Sequence, residues 1–462
     1  MSKREEKMTE LFKKYKNYLN RLLIIAVPMI LSQLINQVQM LIDRIFLGQA
    51  NSLYMSVLGN ATFPMWTTMS FCFSIGTGAS ILISQNVGAG NKEKVSEYAG
   101  SLLKYNSIIP FALFLFWGFF SEPVFKLMGV SENLIPLCVE YASYYSPVFI
   151  LVGIGSVITI FQTSNYTKPL ATYSLIRSVL NVIFDWVLIF GKFGFPAMGV
   201  KGAALGTTLA EFIAALYFGY AYLKSPLSTK PSFAAIKTAK LKSYLHSAKL
   251  GINTALEDFL WNIGNLVLIV ILNTINELAA GIYSIIFGIE VLAVVAVGSL
   301  GSATMTLTSE ATGKKDIRQF RGVCTCAYGL CILIALGMIF AGALFPQQIL
   351  RVFTKDESIV TTSAIFLLMI GFNLFSKSGN IIVGNCIRGS GDTRWMFFTQ
   401  IFGTVFVISM ASLFVFGLKL GIAGVFLAVM SDEGVRALIN YVRYRKICAS
   451  FQEPELKKAV SA

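Results

Sequence analysis

Apolar runs that reach or exceed the roughly 20 residues needed to cross a bilayer recur along this chain, and few folds tolerate that pattern. They fall at roughly 22–47, 53–83, 98–120, 134–163, 170–190, 199–223, 245–272, 279–309, 319–345, 359–387, 395–417 and 420–442. A hydrocarbon interior offers the backbone no water, so each run must satisfy its own N–H and C=O groups as a helix. Composition agrees. Hydrophobic residues make up 55% of the 462 residues and charged residues only 13%, whereas a soluble surface requires about a quarter. The expected fold class is an all-α membrane protein with twelve transmembrane helices.

Lysine and arginine placement orients those helices. The N-terminus, the even-numbered connections and the C-terminal tail carry about 27 of the 38 Lys and Arg residues. The odd-numbered connections carry about five, namely Lys126, Lys192, Arg351, Lys355 and Lys419. Both termini are therefore expected in the cytoplasm. This asymmetry also accounts for the net charge of +14 without a nucleic-acid partner. The segment ahead of the first run is basic and amphipathic, and that run is too long for a signal-peptide core, so the segment is expected to be retained. The longest basic connection, Lys224 to Lys249, falls at the chain midpoint. We expect a cytoplasmic N-terminal segment at 1–21, an N-terminal six-helix bundle at 22–223, a basic linker at 224–244, a C-terminal bundle at 245–446 and a cytoplasmic tail at 447–462.

The two halves repeat. At one common offset, close to half the chain, Gln85-x-x-Gly88 falls on Glu310-x-x-Gly313, and Pro123-Val-Phe-Lys126 falls on Gln348-Ile-Leu-Arg351. Ser131-Glu132 falls on Asp356-Glu357, and at a slightly shorter offset Gly199-Val-Lys-Gly202 matches Gly421-Ile-Ala-Gly424. Six helices per repeat bring both halves in from the same side. The two bundles are then expected to be related by a pseudo-two-fold axis along the membrane normal, with a cleft between them.

Several chemistries are excluded by what is scarce. The single histidine, His246, argues against zinc or triad hydrolysis. The seven cysteines form no CxxC pair and fall mostly in apolar runs, so they are expected as small core residues. No Walker or GxGxxG motif supports nucleotide-driven transport.

The second helix ends in Gln85-Asn-Val-Gly88-Ala-Gly90-Asn91, and the fifth carries Asn181-Val-Ile-Phe-Asp185. Gly202-Ala-Ala-Leu-Gly-Thr207 follows, and Arg388-Gly-Ser-Gly-Asp392-Thr393-Arg394 comes after the tenth helix. The first helix has Pro28 and then Leu41-Ile-Asp43-Arg-Ile-Phe-Leu-Gly48. This set, in this order, resembles the multidrug and toxic compound extrusion (MATE) family over about residues 15–446. The resemblance implies a secondary antiporter that exchanges H+ or Na+ for organic cations, with no cofactor. It also implies the multi-pass inner membrane of a bacterium. The chain departs from the family at Thr163-Ser-Asn-Tyr-Thr-Lys168-Pro, where the glycine-rich turn is lost. It departs again in helix 7, where Asn253 replaces a proline and Trp261 an acidic residue of some branches. The second departure favours an ion site in the first half.

Candidate residues follow. Gln33, Asn36, Gln37, Met40 and Asp43 recur at helical spacing and are expected to form one polar stripe facing the bundle interior. Asn181 and Asp185 are i and i+4 on helix 5, and Arg177 continues that face. With Thr207 they supply hard oxygen donors. Asp43, Asn181, Asp185 and Thr207 are thus the expected ion-coupling set, suited to Na+ or to a shared proton. The alternative is a structural polar ladder locking helices 1, 5 and 6. The expected substrate cavity adds Asn36, Gln37, Met40, Glu257, Tyr283, Glu290 and Lys377. A Glu257–Lys377 contact is expected, with Glu290 either touching a cationic substrate or pairing with Lys377 instead. Asp432 and Arg436 are expected to form a local pair on helix 12. Partners are expected to be small organic cations and membrane lipids, and the protein a monomer. A lipid-linked oligosaccharide flippase is the competing reading, kept alive by Arg177 and Lys377; a membrane-embedded enzyme is a second.

Overall fold

The computed structural model describes residues 3–152, 155–275, 278–353 and 356–451. Lys355, residues 1–2 and the tail from 452 onward, all named above, lie outside the described residues. Among the described residues there is no strand, and twelve long helices are formed. They are α1 (Lys3–Ala50), α2 (Ser52–Gly88), α3 (Lys92–Phe119), α4 (Ile135–Thr163), α5 (Lys168–Phe190) and α6 (Gly199–Lys224), followed by α7 (Leu241–Asn273), α8 (Ala279–Lys314), α9 (Ile317–Leu344), α10 (Glu357–Gly389), α11 (Thr393–Gly417) and α12 (Gly421–Ser450). Short helices at Ser121–Leu127 and Pro346–Arg351 occupy the matching connection of each half.

Eleven of these helices are long and apolar enough to cross a membrane. The exception is α12, which carries Asp432, Glu433 and Arg436 near its middle. Its charges are internally compensated, as described below. The breaks within helices have local causes. Backbone helicity lapses between Tyr105 and Ile108 in α3 and at Ser146 in α4, just ahead of Pro110 and Pro147. Proline has no N–H to give the preceding turn and crowds the residue before it. Asn91, Asp316 and Asp392 cap α3, α9 and α11 by accepting backbone N–H bonds. The turn that lost its glycines places Asn165 at φ 55, a left-handed conformation of the kind Gly391 takes at φ 97 in the second half. Asparagine is among the few residues that tolerate it.

The described chain divides into two compact units that do not follow the chain midpoint. One comprises Ile24–Ile83 and Asn91–Ile252; the other comprises Met1–Leu23, Ser84–Gly90 and Asn253–Ala462. The first is centred on Met65, Trp117, Phe125, Tyr141 and Phe149, with the Trp117 indole donating to Thr68 Oγ1 at 3.0 Å. The second is centred on Ile286, Phe366, Ile370 and Phe426. Large apolar residues such as Phe111, Leu216, Phe340 and Leu438 remain exposed on the outer faces, as a lipid-facing surface requires.

The segment expected as a linker is a docked element within the first unit. Residues Phe233–Lys237 form a short helix, and α7 starts at Leu241. Lys104 Nζ donates to the Lys237 carbonyl at 2.8 Å, and Tyr105 Oη donates to that of Ala239 at 3.0 Å. Tyr98 Oη lies 3.0 Å from His246 Nδ1. A Cβ at Gly251 would stand 2.3 Å from the Ser74 carbonyl oxygen, so α7 crosses α2 at backbone contact. In the second unit the repeated anchors meet each other. A Cβ on Gly88 would lie 2.0 Å from the Glu310 carbonyl oxygen, and one on Gly313 would lie 1.8 Å from that of Gln85. The repeat thus keeps glycine where the ends of α2 and α8 cross.

Candidate functional site

One face of α5 carries Tyr173, Arg177, Asn181 and Asp185 at four-residue spacing, so these side chains stack along the first unit. Helix α6 lies against that face because it is lined with small residues. A Cβ on Gly202 would be 2.7 Å from the Leu188 carbonyl, and one on Gly206 would be 2.3 Å from Asp185 Oδ1. The Gly-Ala-Ala-Leu-Gly-Thr run therefore holds open the space that the Asp185 carboxyl fills.

Asp185 and Asn181 are 1% and 0% exposed. Asn181 Nδ2 donates to Asp185 Oδ1 at 3.3 Å and to Thr207 Oγ1 at 3.1 Å, and its Oδ1 accepts from Gln39 Nε2 at 2.9 Å. Thr207 Oγ1 in turn donates to the Ala203 carbonyl at 3.0 Å. The Asp43 carboxyl, from α1, is close enough to that of Asp185 for the two to act on each other, with Gln39 one turn before Asp43 on the same helix. All four expected ion-coupling residues are therefore brought together. Asn181 bonds Gln39, Asp185 and Thr207, and Thr207 bonds the backbone, while the carboxylates keep free oxygens. Among the described residues, Asp43 Oδ1, Asp185 Oδ2 and Gln39 Oε1 are buried and accept no hydrogen bond.

Two neighbouring carboxylates with buried oxygens repel each other. A proton shared between them, or a monovalent cation held by the free oxygens, removes the conflict. Among the described residues no group of three His, Cys, Asp or Glu is placed to hold a metal ion.

The expected stripe on α1 is corrected in part. Gln33 and Met40 are exposed and Gln37 is half-buried. Asn36 of the stripe faces α5, and Ser32 and Gln39 outside it do so too, with Ser32 Oγ 2.5 Å from Ser174 Oγ. Asn36 Oδ1 accepts from Arg177 Nη2. Gln39 and Glu211 are absent from the expected set, yet each lies one helical turn from a member of it. Gln39 precedes Asp43 by four, and Glu211 follows Thr207 by four. Glu211 is fully buried; its Oε1 accepts from Tyr173 Oη, and its Oε2 lies 3.5 Å from Arg177 Nη1.

The second unit holds a separate polar cluster. Lys377 Nζ on α10 donates to Glu290 Oε1 on α8 at 2.6 Å, both buried. Glu257 pairs with Arg388 instead. The expected Glu257–Lys377 contact is thus overturned, because Arg388 lies eleven positions further along α10, about 16 Å down the axis and level with Glu257. Glu290, Tyr283 and Asn373 line a narrow cavity with Phe287, Phe426 and Met430. Tyr283 stacks on Phe287 at 6.1 Å, and Asn373 Oδ1 is buried without a donor. Tyr283, Glu290 and Lys377 are therefore neighbours, whereas Glu257 is not among the residues lining this cavity. On α12, Arg436 pairs with Asp432 at 2.7 Å as expected, and also with Glu433 at 3.5 Å and with Gln400 Oε1 at 2.7 Å. Asn380 Nδ2 completes the cluster by donating to Glu433 at 2.9 Å.

Comparison with known proteins gives the geometry its context. A single family model, MatE, matches the chain twice, over residues 28–187 and 254–413. The chain belongs to the MatE family. Its two matched stretches are equal in length and correspond to the two repeats read from the sequence. The probable multidrug resistance protein NorM of Thermotoga maritima is 25% identical over 446 residues, covering 92% of this chain and 94% of that protein. The probable multidrug resistance protein YoeA of Bacillus subtilis is also 25% identical, covering 91% and 92%. Among solved structures, an outward-facing multidrug resistance MATE family transporter of the MOP superfamily superposes with a TM-score of 0.83 at 19% identity, covering 94% of this chain and 97% of that one. This MatE protein is therefore a multi-pass membrane transporter built from twelve helices in two bundles, not an enzyme.

Proposed function

We propose that this MatE protein is a secondary antiporter that expels organic cations or drugs in exchange for H+ or Na+ by alternating access. It resides as a monomer in the bacterial cytoplasmic membrane with both termini inside. The observation that carries this reading is the set of three buried oxygens without donors, one each from the neighbouring Asp43 and Asp185 carboxyls and one from Gln39. Such a pair binds a monovalent cation and gives it up again when the access side changes. The names of the NorM and YoeA relatives support a drug as cargo. Interior charge supports a cationic one. Arg177, Lys377, Arg388 and Arg436, interior cations that would serve a flippase of pyrophosphate-linked lipids, each face a carboxylate, namely Glu211, Glu290, Glu257 and Asp432.

The test is ethidium efflux from proteoliposomes under an imposed H+ or Na+ gradient. Wild type should export under one of them, and Asp43→Asn and Asp185→Asn should lose at least about 90% of the gradient-dependent rate, about 1.4 kcal/mol or more. Equal rates with and without both gradients would refute the antiport.

A further inference from the structure

The first unit contains a charged pair that the ion-site reading leaves unused. Arg177 and Glu211 lie on α5 and α6, one turn further along the same faces as Asn181 and Thr207. Buried arginine–carboxylate pairs are ordinarily bidentate, which satisfies both groups. This one is not. The guanidinium approaches Glu211 Oε2 through Nη1 at 3.5 Å, and its Nη2 donates to Asn36 on α1. Arg177 Nε is buried with no acceptor, and Glu211 Oε2 is buried with no hydrogen-bond donor. Glu211 Oε1 is held by Tyr173. The guanidinium is thus shared between α6, through an ion pair, and the helix that carries Asp43, through a hydrogen bond.

Charge counting gives the arrangement a consequence. The cluster holds three carboxylates, Asp43, Asp185 and Glu211, against one guanidinium. The other ionisable groups facing it are the phenols of Tyr141 and Tyr145 from α4 and Tyr173 from α5. None of these supplies a positive charge. Through Asn36, Arg177 is tied to α1 about two turns from Asp43 on that helix. We propose that Arg177 is a built-in competitor of the coupling cation, and that Glu211 sets how strongly it competes. Both are positioning residues, since neither needs to touch the ion. With the Asp43–Asp185 pair loaded, the guanidinium is repelled towards Glu211. When the ion leaves, the guanidinium offsets the exposed negative charge and keeps the emptied unit tolerable in a low dielectric. The ion then binds firmly enough to enter and weakly enough to be released.

This inference rests on the proposed ion site, and the experiment separates the two. Purified full-length protein is titrated with Na+ at fixed pH and with H+ at fixed Na+, and the ion dependence of its unfolding midpoint gives an apparent dissociation constant even for variants that do not transport. The proposal predicts opposite shifts. Arg177→Gln tightens binding of the coupling ion about tenfold, and Glu211→Gln, which frees the guanidinium to act on Asp43, weakens it about tenfold. The uncharged double variant R177Q/E211Q returns to within about threefold of wild type, and it guards against misfolding because it leaves no unpaired charge. Arg177→Lys keeps the charge and stays near wild type. In efflux assays Arg177→Gln lowers the half-saturating ion concentration while reducing maximal rate, because release is slowed. Shifts in the same direction, or none beyond about twofold, in variants that keep Asp43-dependent binding would overturn the proposal. Identical ion dependence in wild type and Asp43→Asn would remove the ion site itself, and this inference with it.

Discussion

At the residue scale, the Asp185 carboxyl occupies a space that exists because position 206 has no side chain. Gly206→Ala places a methyl 2.3 Å from Asp185 Oδ1. It should reduce gradient-driven efflux about tenfold or more while the circular dichroism spectrum keeps its helical content, since a misplacement of about 1 Å is enough to disable such a site. In the second unit, Glu290→Gln leaves the Lys377 ammonium buried and unpaired. It should destabilise the protein by about 3–5 kcal/mol, read as a lower unfolding midpoint, and Glu290→Gln with Lys377→Met should recover most of the loss. Parts of both sites are legible in the sequence. Asn181 and Asp185 share a face by simple helical geometry, and a carboxyl inside an apolar run rarely lacks a role. Periodicity does not supply orientation between helices. It does not show that Asn181 turns its nitrogen to Asp185, or that Glu257 meets Arg388 and leaves Lys377 to Glu290.

At the scale of elements, α12 shows how a membrane helix carries charge. A charged residue at the centre of such a helix costs about 2.5–3.5 kcal/mol on insertion scales. Three of them within one helix are tolerable only because Arg436 binds both acids and Gln400. Arg436→Leu should therefore lower the yield of folded protein sharply, whereas Leu438→Val on the exposed face should leave it unchanged. The repeated glycines are read the same way. Gly313→Val forces side-chain atoms into the backbone of α2, where even a Cβ would be 1.8 Å from the Gln85 carbonyl. It should cost about 1–3 kcal/mol or more in stability, measured as a fall in unfolding midpoint. Gly298→Ala, where the added Cβ meets nothing, serves as the control. Hydropathy locates these helices and their order, and places most boundaries within a few positions. It presents 224–244 as a linker because that stretch is basic. The short helix there and its bonds to Lys104 and Tyr105 depend on contacts with α3 that no local pattern encodes.

At the scale of the whole molecule, the internal repeat is visible in a few anchors, and the family model recovers it as two equal matches. The repeat does not reveal that the compact units exchange segments. Met1–Leu23 and Ser84–Gly90 fall with the second unit, while α7 up to Ile252 falls with the first. Anchors such as Arg21, whose guanidinium binds Glu310 at 2.5 Å, belong to this exchange. Sequence spacing places residues along a helix but not against a neighbour hundreds of positions away. The central claim concerns coupling between a cation and an expelled drug through Asp43 and Asp185. Coupling is reciprocal, so either gradient must drive the other solute. The most direct measurement imposes an ethidium gradient alone on proteoliposomes and records H+ with an internal pH dye and Na+ with an isotope. The account predicts that wild type moves one of these ions opposite to ethidium and that Asp43→Asn moves neither. Ethidium flux without ion movement in wild type, or ion movement undiminished by Asp43→Asn, would contradict it.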